Sequence, residues 1–325
     1  TADIHETRGN PVVTGEYLSD KNHPTVLVYN HLDVQPANPA SWKFPPFEMK
    51  IDGDKYLGRG TADDKGPALA VLYGAKYARE NKFPINIKFV WELEEEIGSP
   101  SFEEFLKKNV DLFKADSIVI SDTVWLTKDK PAMPYGLRGL AGLVVKLKTG
   151  EKDVHSGEVG GLARNPVAEI CQLLSLCQDA ETGEVKIPGF YDDAVKLADE
   201  ELDGFIKAGF KATDFKDSHQ LLKLRTEDDR EGAHRIWGKP TFEVHGITGG
   251  YQGPGVKTIV PFEAEAKISM RLVPNQSPRK MIELFTKFVK THCPDATVHE
   301  EGALKPFVAD YQDKYSQAGV EATKM

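Results

Sequence analysis

Four short stretches of this sequence carry side chains able to hold a metal ion and activate water: His31-Leu-Asp33, Asp63-Asp64, Glu95-Glu96 and Asp122. One imidazole and several carboxylates, with no thiolate, form a donor set that suits Zn²⁺ or Mn²⁺. A carboxylate shared between two such ions holds them about 3.5–4 Å apart, and the pair lowers the pKa of a shared water towards neutrality. A carboxylate beside the ligands but free of metal can carry that water's proton to a leaving amine, a role worth roughly 10²–10⁴-fold in rate. Together these groups read as metal-dependent hydrolysis.

Each piece alone has an ordinary structural reading. His31 and Asp33 could fix a turn through a local hydrogen bond, and Glu92, Glu94, Glu95 and Glu96 form a charge run of the kind found on solvated faces. Asp63 and Asp64 could cap a helix, and Asp122 could start a turn. Their placement decides between the readings. Residues 25–30, 85–91 and 117–121 are apolar runs of strand length, while 66–80 reads as a helix with Pro67 in its first turn. A second helix is predicted from Ser101, where Ser101 and Glu104 have capping-box spacing. Strand, helix, strand, helix, strand predicts βαβ units and a parallel sheet. In an open α/β sheet, ligands bind beyond the carboxyl ends of the strands, so the histidine and the sequence-distant acids converge there.

After Tyr135-Gly-Leu-Arg-Gly139 the pattern changes. Strands are predicted at 140–148, 241–247, 262–272 and 296–300. Helices are predicted at 165–178 and from Ser277-Pro278 to the residue before Cys293-Pro294, with a further helical insertion over 192–230. Two helices on one face of a small antiparallel sheet explain this order.

The chain has 325 residues, more than one ordinary domain of about 100–200 residues. Its net charge of -9 argues against a polyanionic partner, which excludes nucleic acid. No apolar run approaches the roughly 20 residues of a membrane-spanning helix, so no membrane role is expected. Cys171, Cys177 and Cys293 show no CxxC spacing, which excludes a disulfide framework and a thiolate zinc site and points to a reducing, cytoplasmic setting. Residues 1–7 lack the basic-then-apolar pattern of a signal peptide.

His31-Leu-Asp33, Gly58-Arg-Gly-Thr-Ala-Asp63-Asp64-Lys-Gly66, Glu95-Glu96-Ile-Gly-Ser99 and Ser121-Asp122 resemble the metal-site motifs of one peptidase family. It includes carnosinases, cytosolic nonspecific dipeptidases, acetylornithine deacetylase and succinyl-diaminopimelate desuccinylase. Tyr135–Gly139, Lys152-Asp-Val-His155-Ser-Gly157, His245–Gly250, Lys257-Thr-Ile-Val-Pro261 and Ser269-Met-Arg271-Leu-Val-Pro274 resemble the dipeptidase branch in particular. The resemblance runs from about Val26 to Met325.

This resemblance implies an α/β catalytic domain, a mixed, mainly parallel sheet with helices on both faces, and an inserted α+β ferredoxin-like lid and dimerisation domain. The corresponding segments are 1–136, 137–303 and a return at 304–325. It implies two divalent ions per subunit, Zn²⁺ first and Mn²⁺ second, with Asp63 bridging them and His31, Glu96 and Asp122 as the other ligands. Asp33 would hold the free imidazole nitrogen of His31, and Glu95 would be the general base. A lone His in a turn is more often a surface residue, and an Arg on a strand is usually a cross-strand partner. The resemblance nevertheless implies that His155 stabilises the oxyanion in the partner subunit's site, that Arg271 pairs with the substrate's C-terminal carboxylate, and that Thr258 contacts substrate. The substrate would be a small peptide and the assembly a homodimer through the lid.

Family members also carry a helical segment before the first metal-bearing strand, a second terminal histidine ligand and a glycine- and serine-rich substrate loop, none of which has a candidate here. The expectation is a chain that continues past Met325. An N-acyl amino acid amidohydrolase would share every metal residue and differ in the pocket. A catalytically dead scaffold would have no physical reason to keep these like charges together.

Overall fold

In the computed structural model, which describes residues 1–123, 125 and 131–324, the chain forms two compact units, Thr1–Pro134 with Gln312–Met325, and Tyr135–Tyr311.

Strand alternation builds the first unit. Its elements are β1 (Ala2–His5), β2 (Val12–Tyr17), β3 (Thr25–His31), the hairpin β4 (Lys50–Asp52) and β5 (Lys55–Leu57), α1 (Lys65–Glu80), β6 (Asn86–Glu92), α2 (Phe102–Lys108) and β7 (Ser117–Ile120). Successive side chains of a strand point to opposite faces. Val28 of β3 therefore packs with Ile87 and with Ala78 of α1, while Leu27 packs on the other face with Val12, Val90 and Phe105 of α2. Helices cover both faces, and each buried aliphatic side chain contributes about 1.5–3 kcal/mol. The sheet order is β1-β2-β6-β3-β7. β3 lies parallel to both β6 and β7, whereas β1–β2 and β2–β6 are antiparallel. The two N-terminal strands have no clear sequence signature, because Ala2–Asp3–Ile4 are exposed and β2 is interrupted by Gly15.

The capping box expected at Ser101 does not form. Ser101 has helical backbone angles and makes no side-chain cap; its N–H donates instead to the buried Glu94 carboxylate at 3.2 Å, and Glu104 pairs with Lys108 at 2.6 Å.

The second unit contains β8 (Gly136–Leu137), β9 (Gly139–Lys148), β10 (Val154–His155), α3 (Ser156–Val159), α4 (Pro166–Cys177), α5 (Asp199–Lys207), α6 (Ala212–Ser218), α7 (Asp229–Ala233), β11 (Thr241–Gly249), β12 (Ile259–Val260), β13 (Glu263–Leu272), α8 (Pro278–His292), β14 (Thr297–Leu304) and β15 (Phe307–Val308). The run β9-α4-β11-β13-α8-β14 is βαββαβ, and its antiparallel sheet has the order β11-β13-β9-β14, the ferredoxin-like arrangement. Both main helices start on a polar cap followed by proline. Asn165 accepts from Val167 and Ala168 N–H ahead of Pro166, and Ser277 accepts from Lys280 N–H ahead of Pro278, satisfying N–H groups that a helix start leaves free. Ile170 and Leu173 of α4 and Met281, Phe285 and Val289 of α8 pack against Leu143, Val145, Leu147, Ile268 and Met270 of the sheet. The insertion α5–α7 has its own core of Leu202, Phe210, Ala212 and Ala233. β15 pairs with β8, and the chain then re-enters the first unit with α9 (Lys314–Ala322). Among the described residues, no helix is long and apolar enough to cross a membrane.

Candidate metal centre

Three parallel strands and one helix start aim their ends at the same point. His31, 1% exposed, closes β3; Glu95 and Glu96 follow β6 in a short turn; Asp122 lies two residues beyond β7, and Asp63 just before α1. The His31 Nε2 atom is 2.9 Å from Asp63 Oδ1, 3.7 Å from Asp122 Oδ1 and 3.9 Å from Glu95 Oε2. His31, Asp63 and Asp122 each offer a donor atom within 4.8 Å of the others, a group able to hold a metal ion. The other ring nitrogen, Nδ1, is 3.2 Å from the Asp33 carbonyl and 3.3 Å from its carboxylate. A proton held at Nδ1 leaves the Nε2 lone pair facing the acids, as a ligand requires.

Asp33 does more than was expected from sequence. Its carboxylate accepts the N–H groups of Glu95 at 3.2 Å and Glu96 at 2.9 Å, tying the turn after β6 to the loop after β3. Asn30 and Asp64, both fully buried, were missed as positioning residues. Asp64 sits at the N-cap of α1 without capping it; it accepts from Asn30 Nδ2 at 2.7 Å and His31 N–H at 3.2 Å. Asn30 also donates to the Ser121 carbonyl at 3.1 Å, so these two side chains fasten α1, β3 and the end of β7 together. The adjacent pair Asp63-Asp64 was the available signal: one carboxylate turns outward and its neighbour inward.

The glutamate run is not a solvated face. Glu92 and Glu94 are buried. Glu92 accepts from the Tyr29 hydroxyl, and Glu94 takes Asn10 N–H at 2.8 Å as well as Ser101 N–H. Glu96 stands outside the His31–Asp63–Asp122 group, its carboxylate held by Gln35 Nε2 at 3.1 Å.

The electrostatics of the group favour a cation. Burial, and then the charges of Asp64, Asp63 and Glu95, push the Asp122 carboxyl up to about 7. Burial followed by Glu96, Glu92 and Asp33 raises Glu95. Burial opposes charge on His31, but the Asp63 hydrogen bond and the nearby Asp122 and Glu95 outweigh it, and its pKa is raised. Carboxylates crowded round one imidazole repel each other until a divalent ion makes the same crowding attractive. The residues present fit a metal ion.

In the second unit, β10 and β12 pair His155 opposite Ile259. The His155 Nδ1 accepts from Gly157 N–H at 3.0 Å, and its Nε2 lies 3.4 Å from Thr258 Oγ1. Arg271 is on β13, opposite Thr241 and Leu140, on the sheet face away from the core. Beneath it, Arg138 donates to the carbonyls of Ile236 and Lys239 at 2.9 Å each. Burial, and then the charge of Arg271, hold Arg138 down to about 10. His155 lies beyond the Glu263 end of β13 and Arg271 near the other end, separated by roughly 26 Å of strand at about 3.3 Å per residue.

Over residues 27–324 the sequence matches the profile of peptidase family M20/M25/M40. The chain belongs to this family. It is 35% identical over 328 residues to the Beta-Ala-His dipeptidase of Homo sapiens, covering 97% of this chain and 64% of that protein. It is 34% identical over 289 residues to the Cys-Gly metallodipeptidase dug1 of Schizosaccharomyces pombe, covering 87% and 60%. The chain therefore spans a little under two thirds of these relatives' lengths. Among solved structures of the family, the metallo-carboxypeptidase Sso-CP2 from Sulfolobus solfataricus superposes with a TM-score of 0.91 at 35% identity, over 99% of this chain and 74% of that one. Human carnosine dipeptidase 1 superposes with 0.85 at 32% identity, over 99% and 73%.

Proposed function

We propose that this protein hydrolyses the peptide bond of dipeptides or short peptides with a free C-terminal carboxylate, using two divalent ions. The observation that carries this reading is the His31 Nε2 facing Asp63, Asp122 and Glu95 within 4 Å while its other nitrogen is held by Asp33. His31, Asp63, Glu96 and Asp122 would hold the ions, Zn²⁺ or Mn²⁺, with Asp63 shared. The ions, when bound, supply an activated water and polarise the scissile carbonyl. Glu95, whose raised pKa suits a proton acceptor that must later donate, takes the water's proton and passes it to the leaving amine. Asp33 keeps Glu95 in place through its backbone N–H and keeps His31 in its ligating tautomer.

Arg271 is read as the anchor for the substrate's terminal carboxylate, and His155 with Thr258 as groups acting on substrate. The roughly 26 Å of β13 between Glu263 and Arg271 exceeds the length of a dipeptide, which supports His155 and Arg271 serving different sites in a homodimer rather than one site in a protomer. The three free cysteines support a reducing, cytoplasmic setting. Assay of the purified protein over dipeptides and N-acyl amino acids, after chelation and with each metal added back, tests the reading. Metal-restored dipeptide cleavage supports it, and cleavage confined to N-acyl amino acids sinks it.

A further inference from the structure

A cavity of about 770 Å³ lies wholly within the second unit. Five of its lining side chains are cationic: Arg138, Arg225, Arg235, Lys239 and Arg271. Only Glu184 and Glu243 oppose them from the lining, and behind it Glu231 serves both Arg235 at 2.8 Å and Lys239 at 3.2 Å. That leaves a positive pocket in a chain whose net charge is -9. Among the described residues, Arg138, Arg225 and Arg271 have no carboxylate within ion-pairing distance; Arg225 makes one long contact, 3.5 Å to the Ala180 carbonyl. The Arg138 Nε is buried with no hydrogen-bond acceptor. Burial first, and then the charge of the neighbouring Arg271 guanidinium, lowers Arg138. Between the cations the walls are apolar, with Tyr191, Phe210, Phe215 and Leu224. Guanidinium groups pair bidentately with carboxylates, and an apolar wall with a few convergent polar groups is the usual form of a small-molecule site.

We propose that this cavity is a dicarboxylate site, in which Arg271, with the charge of Arg138 beneath it, takes one carboxylate and Arg225 attracts a second across an apolar body. The inference rests on the reading of Arg271 given above. An acidic C-terminal residue of a peptide carries both carboxylates, and so does a free dicarboxylic acid; the chemistry is shared.

Binding of Ala-Glu and Ala-Gln to the purified chain in chelator, by isothermal titration, isolates the second carboxylate because the two peptides have nearly the same shape. Ala-Glu is expected to bind about tenfold more tightly. The ratio should fall to about one in Arg225→Gln, persist in Arg225→Lys, and rise in Glu243→Gln. Equal binding of the two peptides, or an unchanged ratio in a folded Arg225→Gln variant, overturns the proposal. Arg271→Met separates it from the functional reading: if that change spares both peptides while the ratio stands, the anchor role of Arg271 is lost and the charge preference of the cavity remains. Glutarate decides the source. Competing binding in which Ala-Glu is the tighter ligand assigns the site to a peptide side chain, and competing binding in which glutarate is the tighter, lost in Arg225→Gln, assigns it to a free dicarboxylate.

Discussion

The imidazole of His155 and the hydroxyl of Thr258 lie 3.4 Å apart although 103 residues separate them. The pairing of β10 with β12 brings them together at the end of the second unit's sheet remote from Arg271. If His155 acts on the site of a partner subunit, mixed dimers should recover what each parent lacks. Mixing equal amounts of Glu95→Gln and His155→Ala protein is expected to restore about a quarter of wild-type turnover, because half of the dimers are hybrids and each hybrid owns one site with both groups intact. Activity assays after subunit exchange verified by mass measurement check this, and an inactive mixture counts against action of His155 on the partner's site.

As the proposed proton carrier and not a ligand, Glu95 changed to Gln (Glu95→Gln) should leave the metal group intact and lower kcat by about 10²–10⁴-fold. Metal content measured beside kcat separates the proton carrier from a ligand. Loss of bound metal in this variant would reassign Glu95 to the ligand set.

Asp63→Ala removes the carboxylate nearest the His31 Nε2, and as the shared ligand its loss should release both ions together. Elemental analysis after dialysis is expected to find fewer than one ion per chain. One ion retained at full occupancy would mean that Asp63 does not bridge.

Metal uptake should release protons below neutral pH. The Asp122 carboxyl is raised from 3.8 to about 7 and the His31 imidazole is raised as well, so the metal-free fold holds protons more tightly than the unfolded chain. The stability contributed by Asp122 is present at low pH and lost as pH climbs from 3.8 through about 7, and that of His31 is lost as pH rises from its ordinary 6.5 through its raised value. A bound ion must displace those protons, so apparent affinity should fall about tenfold for each pH unit below 7 per proton displaced. Titration calorimetry in buffers of different ionisation enthalpy counts the protons; equal affinity at pH 6 and pH 8 would contradict the crowding at Asp122.

Phe285 is fully buried between α8 and the sheet of the second unit. Phe285→Ala is expected to destabilise the second unit by about 3–5 kcal/mol, seen as a lower denaturation midpoint, with metal binding by the first unit retained. A loss of metal affinity in the folded variant would show that the core of the second unit supports the metal group.

The sequence by itself determined the strand ends and the residues placed on them. Apolar runs closing on His31 and Asp122, and the helix start after Asp63, are local patterns whose periodicity survives without knowledge of neighbours. The βαββαβ order of the second unit was legible for the same reason, with Asn165-Pro166 and Ser277-Pro278 marking its helices. Only the tertiary structure decided which acids face the imidazole. Glu92, Glu94, Glu95 and Glu96 are alike as letters, and burial divides them: Tyr29, Asn10 and Ser101 engage the first two, and Asp33 binds the backbone of the others. Asn30 and Asp64 were invisible because their partners are carried by other elements, and a one-dimensional pattern contains no information about which distant donor will meet a buried carboxylate. The strands β1 and β2 were missed because pairing, of β2 with β6 and of β1 with β2, and not their own side-chain alternation, holds them in the sheet.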